Sequence, residues 1–467
     1  MLFDSFDSTE SSPYDGAEQK ARRARELYED GDLHQALDEL EAAIEVNPSN
    51  SAWHFNRGLT LDAVNRFDKA IESYEAALEL NPSDVEVLNC LAVDYTRTGQ
   101  YDRALEVFEQ IEQTEPTFEP CYCNRIITYA EMGKHEAAEQ MFYMAQQIDP
   151  DCALCYYNIG NSLFARRQYK KAIHCWRKTA ELESTHPQIN YRIAQAYWAD
   201  GNTTEAREYF LRELRLSPGD VEVILDFGLF LLELGDLEAA KEKFNRILEL
   251  RPEHVQAVFY LGEIAFQNGH YGRAQGLYTE ALAKDGGGRE SAGANYRLGQ
   301  CALIAGDTRQ ARTYLLAELR RNPEDSYVLT SLGSMFLAIG DIEHAADCLL
   351  RAADKDWSNA EAYYYLGLVG AIRGDLEDAC EFFGHALDID AGHAEALRDS
   401  ARVYLAMGRF DEAAERIAKA EAAAGPNREI TTLRRKIRRA RQAAKIAELV
   451  ETTTEKIVSC LPGKGAR

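Results

Sequence analysis

Long apolar runs are missing from this chain of 467 residues. No stretch of about eighteen uncharged apolar residues occurs, so no membrane-spanning helix is expected. No secretory leader is expected either: Asp4 and Asp7 stand where such a segment carries bases, and no apolar core follows. The expectation is a cytoplasmic protein. Basic charge is in deficit, with 52 Lys and Arg against 77 Asp and Glu and a net charge of −25. A surface this acidic repels phosphates, which sets nucleic acid and anionic membranes aside as expected partners of the chain as a whole. Catalytic signatures are lacking as well. There is no glycine-rich phosphate loop, no GxSxG, no HExxH and no EF-hand loop, and no two of the ten histidines stand four apart. The expectation is a protein without enzymatic activity and without a cofactor.

The charge is unevenly divided. Residues 428–445 hold eight basic side chains and one acid, Glu429, whereas residues 1–427 together carry −32. Met1–Gly16 is polar and acidic, and is expected to be disordered. Ten cysteines are scattered along the chain, and without an export signal they read as reduced thiols.

What the sequence has in abundance is a period. In Val221–His254, apolar residues at helical spacing run from Ile224 to Leu231, Gly235 breaks the run, a second begins at Leu237, and Pro252 ends it. The same punctuation returns in residues 17–50, 51–84, 85–118, 119–152, 153–186, 187–220, 221–254, 255–291, 292–325, 326–359, 360–393 and 394–427. The twentieth position is alanine in all twelve, from Ala36 and Ala70 to Ala379 and Ala413. Only a methyl fits where two helices cross this closely. The eighth position is small in all but one, as at Gly58, Ala92, Gly160, Ala194 and Gly262; Ile126 is the exception. Large apolar or aromatic residues fill the twenty-fourth position, among them Tyr74, Phe108, Trp176, Phe210 and Tyr278.

These residues resemble the tetratricopeptide repeat family. The resemblance implies an all-α fold: a right-handed superhelix, or α-solenoid, of stacked helix-turn-helix pairs whose first helices line a concave groove. Elementary physics agrees, since a helix of about a dozen residues is marginal alone and must bury its face on neighbours. The extra glycines Gly286–Gly288 suggest a kink between two subarrays. After Asn427, Ile430, Leu433 and Ile437 form a narrow seam among arginines, which reads as a capping helix over residues 428–450 followed by a flexible tail over 451–467.

The family places the second, fifth, sixth and ninth positions of each first helix on the groove. Here these include Phe55, Tyr157, Tyr191, Phe259, Tyr296 and Tyr364 at the fifth, and Asn56, Asn124, Asn158, Arg192 and Arg297 at the sixth. Asn161, Gln195 and Gln300 occupy the ninth. Amides bond an extended backbone and tyrosines grip side chains at small entropic cost, which is the composition of a peptide groove. The expected function is therefore a protein–protein interaction scaffold or adaptor holding a partner's peptide or helical segment. The alternative is an RNA-binding or regulatory subunit acting through the basic helix at 428–445. The segment Asn190–Gln195 is echoed by Asn295–Gln300, so the groove is expected to offer a related surface twice. For a metal, the best candidates are Cys121, Cys123, Cys152 and Cys155, which could converge on zinc. Their C-x-C and C-x₂-C spacing is not a familiar zinc pattern, and buried structural thiols are the expectation.

Overall fold

The computed structural model describes residues 13–460 apart from 287, 322 and 426, and among them finds helices and turns only. The chain divides into two compact units, Met1–Phe230 and Leu231–Arg467. In the first lie α1 (Pro13–Glu29), α2 (Leu33–Val46), α3 (Ser51–Ala63), α4 (Phe67–Leu80), α5 (Val85–Arg97) and α6 (Tyr101–Thr114). They are followed by α7 (Glu119–Glu131), α8 (His135–Ile148), α9 (Ala153–Ala165), α10 (Tyr169–Leu182), α11 (Ile189–Ala199) and α12 (Thr203–Leu216). The division falls inside α13 (Val221–Glu233). The second unit continues with α14 (Leu237–Leu250), α15 (Val255–Gln267), α16 (Tyr271–Asp285), α17 (Ala294–Ile304), α18 (Thr308–Arg320) and α19 (Ser326–Ala338). It ends with α20 (Ile342–Lys355), α21 (Ala360–Arg373), α22 (Leu376–Ile389), α23 (Ala394–Ala406), α24 (Phe410–Ala424) and α25 (Arg428–Cys460).

Within each unit the helices pack as consecutive pairs, and first helices of successive pairs lie side by side, as α5 with α7, α7 with α9 and α21 with α23. This is an all-α solenoid. Tight turns make each pair possible: Gly99 and Gly133 take the left-handed conformation (φ 75° and 71°), and where glycine is missing Asn65 and Arg167 adopt it instead (φ 59° and 58°).

The eighth and twenty-fourth positions form a hole and a knob. A Cβ at Gly160 would stand 2.5 Å from Trp176 Nε1, and one at Gly262 would stand 2.7 Å from Tyr278 Cε1. Both rings are fully buried. Tyr74, Trp176 and Tyr278, the three knobs larger than phenylalanine, all face glycine. The alanines of the twentieth position, such as Ala70, Ala104 and Ala172, have no accessible surface.

Three boundaries differ from expectation. The break between compact units lies in α13, not at Gly286–Gly288. Around the glycines, Ser291 donates to Asp285 (2.6 Å), and Arg321 bonds both Asp285 (3.3 Å) and the Ser291 carbonyl (3.0 Å). At the amino terminus, α1 begins at Pro13, so residues 13–16 of the expected disordered tail are helical and residues 1–12 lie outside the described residues. At the other end α25 runs through Cys460, past the expected stop at 450, and residues 461–467 lie outside the described residues. Ile430, Leu433 and Ile437 are buried against α23 and α24, and Asn427 caps the start of α25 by accepting from the Ile430 amide (2.9 Å). Among the described residues, no helix is long and apolar enough to cross a membrane.

Candidate binding site

The fifth- and sixth-position side chains of adjacent first helices meet one another. Asn124 donates to Asn89 (3.0 Å), Asn158 to the Cys123 carbonyl (3.2 Å), Tyr191 to Asp226 (2.8 Å) and Tyr364 to Asp399 (3.1 Å). In all four the donor and acceptor are 35 residues apart, the fifth position of one repeat reaching the sixth of the next. A polar ladder thus runs between first helices, and much of it is spent on holding the stack.

This changes the standing of three residues. Tyr191 is 1% exposed, Asn158 4% and Tyr364 8%, so burial corrects the expectation that they present free faces to a peptide. Burial, and then the hydrogen bond to Asp226, raises the Tyr191 phenol well above its ordinary pKa; burial beside Asp399 does the same to Tyr364. Both hydroxyls are fixed donors. Phe55 packs on Tyr74 (ring centroids 5.9 Å apart) and Phe259 on Tyr278 (5.6 Å), each half-buried. Tyr157 packs on His186 with tilted rings (centroids 4.4 Å apart) and is half-buried. Asn56 and Asn161 are exposed.

The two echoed segments come out differently. In the first, Gln195 joins Tyr191 on Asp226 (2.9 Å), and Arg192 reaches Gln195 at 3.4 Å. In the second, Arg297 makes a two-pronged pair with Glu263 (2.8 and 2.5 Å) and donates to Gln300 (2.8 Å). Glu263 also accepts from Tyr278 (2.7 Å). Tyr296, the counterpart of Tyr191, has Ser331 where the earlier segment has Asp226, and its hydroxyl accepts from Gln300 instead (3.1 Å). It stays half-buried and lines a cleft of about 520 Å³ with Arg289, Glu318, Arg321, Tyr327 and Val328. Tyr327, 66% exposed, was absent from the sequence reading although it holds a second position, which the family rule assigns to the groove. A smaller cleft of about 320 Å³ at α1–α3 includes Asn56 and Tyr28.

The cysteines regroup. Cys121 points away from the expected cluster, its thiol donating to the Phe108 carbonyl (3.4 Å). Glu119 takes its place: the side chains of Glu119, Cys123, Cys152 and Cys155 bring their donor atoms within 4.8 Å of one another. Burial pushes the Glu119 carboxyl up to about 7. No cysteine pattern marks Glu119; its signal is position, one helical turn before Cys123. On α25, Arg434 pairs with Glu421 (2.6 Å) and Arg441 with Asp411 (2.5 Å), so part of the basic helix is spent on its own support.

The family models that match the chain agree with this architecture. The family described as tetratricopeptide repeat matches residues 22–85, 57–117 and 157–221, and the cilia and flagella-associated protein 70 C-terminal domain matches residues 231–457. The RNA polymerase-associated protein CTR9 of Caenorhabditis elegans is 25% identical over 177 residues, 37% of this chain and 15% of that protein. The BBSome complex member BBS4 of Bos taurus is 28% identical over 116 residues, 25% of this chain and 22% of that protein. The chain thus spans less than a quarter of the length of either relative. Among solved structures, yeast Tom70 aligns over 88% of this chain and 99% of its own at 15% identity and a TM-score of 0.45. The APC/C hetero-tetramer Cut9-Hcn1 aligns over 91% of this chain and 96% of its own at 14% identity and a TM-score of 0.43.

Proposed function

We propose that this chain, which belongs to the tetratricopeptide repeat family, is a non-enzymatic scaffold that holds a peptide or helical segment of a partner protein against its first helices. Proteins of this family generally mediate protein–protein interaction; the particular role and site are our reading. The observation that carries it is the cleft around Tyr296 and Tyr327. At Tyr191, Asn158 and Tyr364 the polar groups are paired and buried, whereas here one tyrosine is half-buried and another, beside Val328, is exposed. Two aromatic faces over a cleft of this size are suited to an apolar side chain of an incoming segment, with Arg289 and Glu324 at the edge for polar contacts. Asn56, Asn161 and Tyr157 extend the same kind of contact within the first unit. A cytoplasmic setting is part of the same proposal.

The test is to pan the full chain against displayed unstructured peptides, then measure the selected binders on wild type and on Tyr296→Ala with Tyr327→Ala. Loss of two aromatic anchors is expected to weaken binding about tenfold or more at unchanged helicity. Equal affinities for the two proteins would remove the cleft from the binding site.

A further inference from the structure

We propose that Glu119, Cys123, Cys152 and Cys155 hold one zinc ion, bound in a closed tetrahedral site that staples the helix pair α7–α8 to the pair α9–α10. Two short-range pairs build it. Glu119 and Cys123 are four apart on α7 and project from one face. Cys152 is the N-cap of α9, its sulfur accepting from the Cys155 amide (3.2 Å), and Cys155 follows in the first turn. The packing of α7 on α9 brings the two pairs together, with all four donor atoms within 4.8 Å of one another. Tetrahedral zinc with bonds of about 2–2.3 Å needs ligand atoms roughly 3.5–4 Å apart, so the widest pair must close by about an ångström and the Glu119–Cys155 pair, at 2.8 Å, must open by about as much.

The surroundings suit thiolates. Asn158 donates to the Cys123 sulfur (3.5 Å) as well as to its carbonyl, so one amide orients that ligand. Cys152 and Cys155 sit at a helix start, where the dipole and free amides favour negative sulfur. Cys123 and Cys155 are buried and the other two half-buried, so little room remains for water as a ligand. Four protein ligands leave no open coordination position, which makes the site structural. On binding, the three thiols, and the carboxyl where it is protonated, release their protons to solvent, leaving three thiolates and a carboxylate around the cation.

The remaining cysteines show the contrast. Cys175 and Cys348 are buried singly, and Cys121 bonds a backbone carbonyl, as small apolar residues with a weak donor do. By contrast, Glu119 buries a carboxylate whose nearest partner is a thiol, Cys155 (2.8 Å), in place of a lysine or arginine. A metal is what such a set of groups satisfies together.

The experiment uses the untagged full chain purified without chelators. Elemental analysis is expected to find about one zinc per chain. The metal is lost in Cys152→Ser with Cys155→Ser and kept in Cys121→Ser. Replacing zinc by cobalt on wild type is expected to give the visible absorption of a tetrahedral site with sulfur-to-cobalt charge transfer for three thiolates, altered by Glu119→Gln. A wild-type protein without metal overturns the proposal, whether its thiols are free or Cys152 and Cys155 are joined in a disulfide detected by intact mass. Metal retained by the double variant overturns it equally. Should that variant not fold, the cobalt spectrum of wild type decides alone.

Discussion

Gly160→Ala is the sharpest probe of how the repeats nest. On an open helix this change removes backbone entropy from the unfolded chain and stabilises by about 0.5–1 kcal/mol. At residue 160 the added methyl would stand 2.5 Å from Trp176 Nε1 and 2.6 Å from Cδ1, so the indole must move. That indole is 1% exposed and donates to the Tyr157 carbonyl (3.2 Å), a bond that movement lengthens. Overpacking costs about 1–3 kcal/mol and a stranded buried N–H about 1–3 more, so a net loss of about 1–5 kcal/mol is expected after the propensity gain. Urea unfolding followed by circular dichroism measures it, with the fluorescence of the chain's four tryptophans alongside because arrays need not unfold in one step. Trp176→Leu should relieve most of the added cost in the double variant. Gly276→Ala is the control, since nothing lies within 4 Å of its Cβ, and it should stabilise slightly. A neutral Gly160→Ala, or a cost unaltered by Trp176→Leu, refutes the hole-and-knob account.

Other outcomes follow from the same structure. Asp94 is buried, and burial, then the charge of Asp62, pushes its carboxyl up to about 6 despite Arg97 (3.0 Å). A raised acid contributes stability at low pH that is lost as pH rises through about 6, so wild type should lose about 1.5 kcal/mol between pH 5 and pH 7.5 relative to Asp94→Asn, read from urea midpoints. Glu263→Gln leaves Arg297 without its charge partner and should cost about 2–3 kcal/mol, more than replacing both residues by methionine; equal costs would deny the pair its role. Ile437→Ala empties part of the seam between α25 and the last pair, and should cost about 2–4 kcal/mol. Hydrogen exchange should rise along Arg428–Cys460 while α3–α6 keep their protection.

How much of this was legible in the chain depends on how far apart the interacting residues stand. Alanine at every twentieth position, small residues at the eighth and large ones at the twenty-fourth were readable because each contact is made inside one repeat, where helix geometry alone sets the spacing. The cap of α25 was readable for the same reason, though its length was not, since the seam ends before the helix does. The proposed binding face was less legible. A tyrosine at the fifth position looks the same at Tyr191 and Tyr296, yet one is buried on Asp226 and the other lines a cleft over Ser331. The spacing of 35 between partners is written in the sequence, but it becomes visible only once first helices are seen side by side.

The sequence by itself determined the repeat, its punctuation and the close crossing of helices, because those are dictated by side-chain volume and the pitch of one helix. Only the tertiary structure decided which polar groups are consumed by the stack and which remain open, and that Glu119 rather than Cys121 stands with the three thiols. Those outcomes turn on which residue the neighbouring repeat presents, and a periodic pattern cannot state that, since it describes what all repeats share and not how each differs from the next.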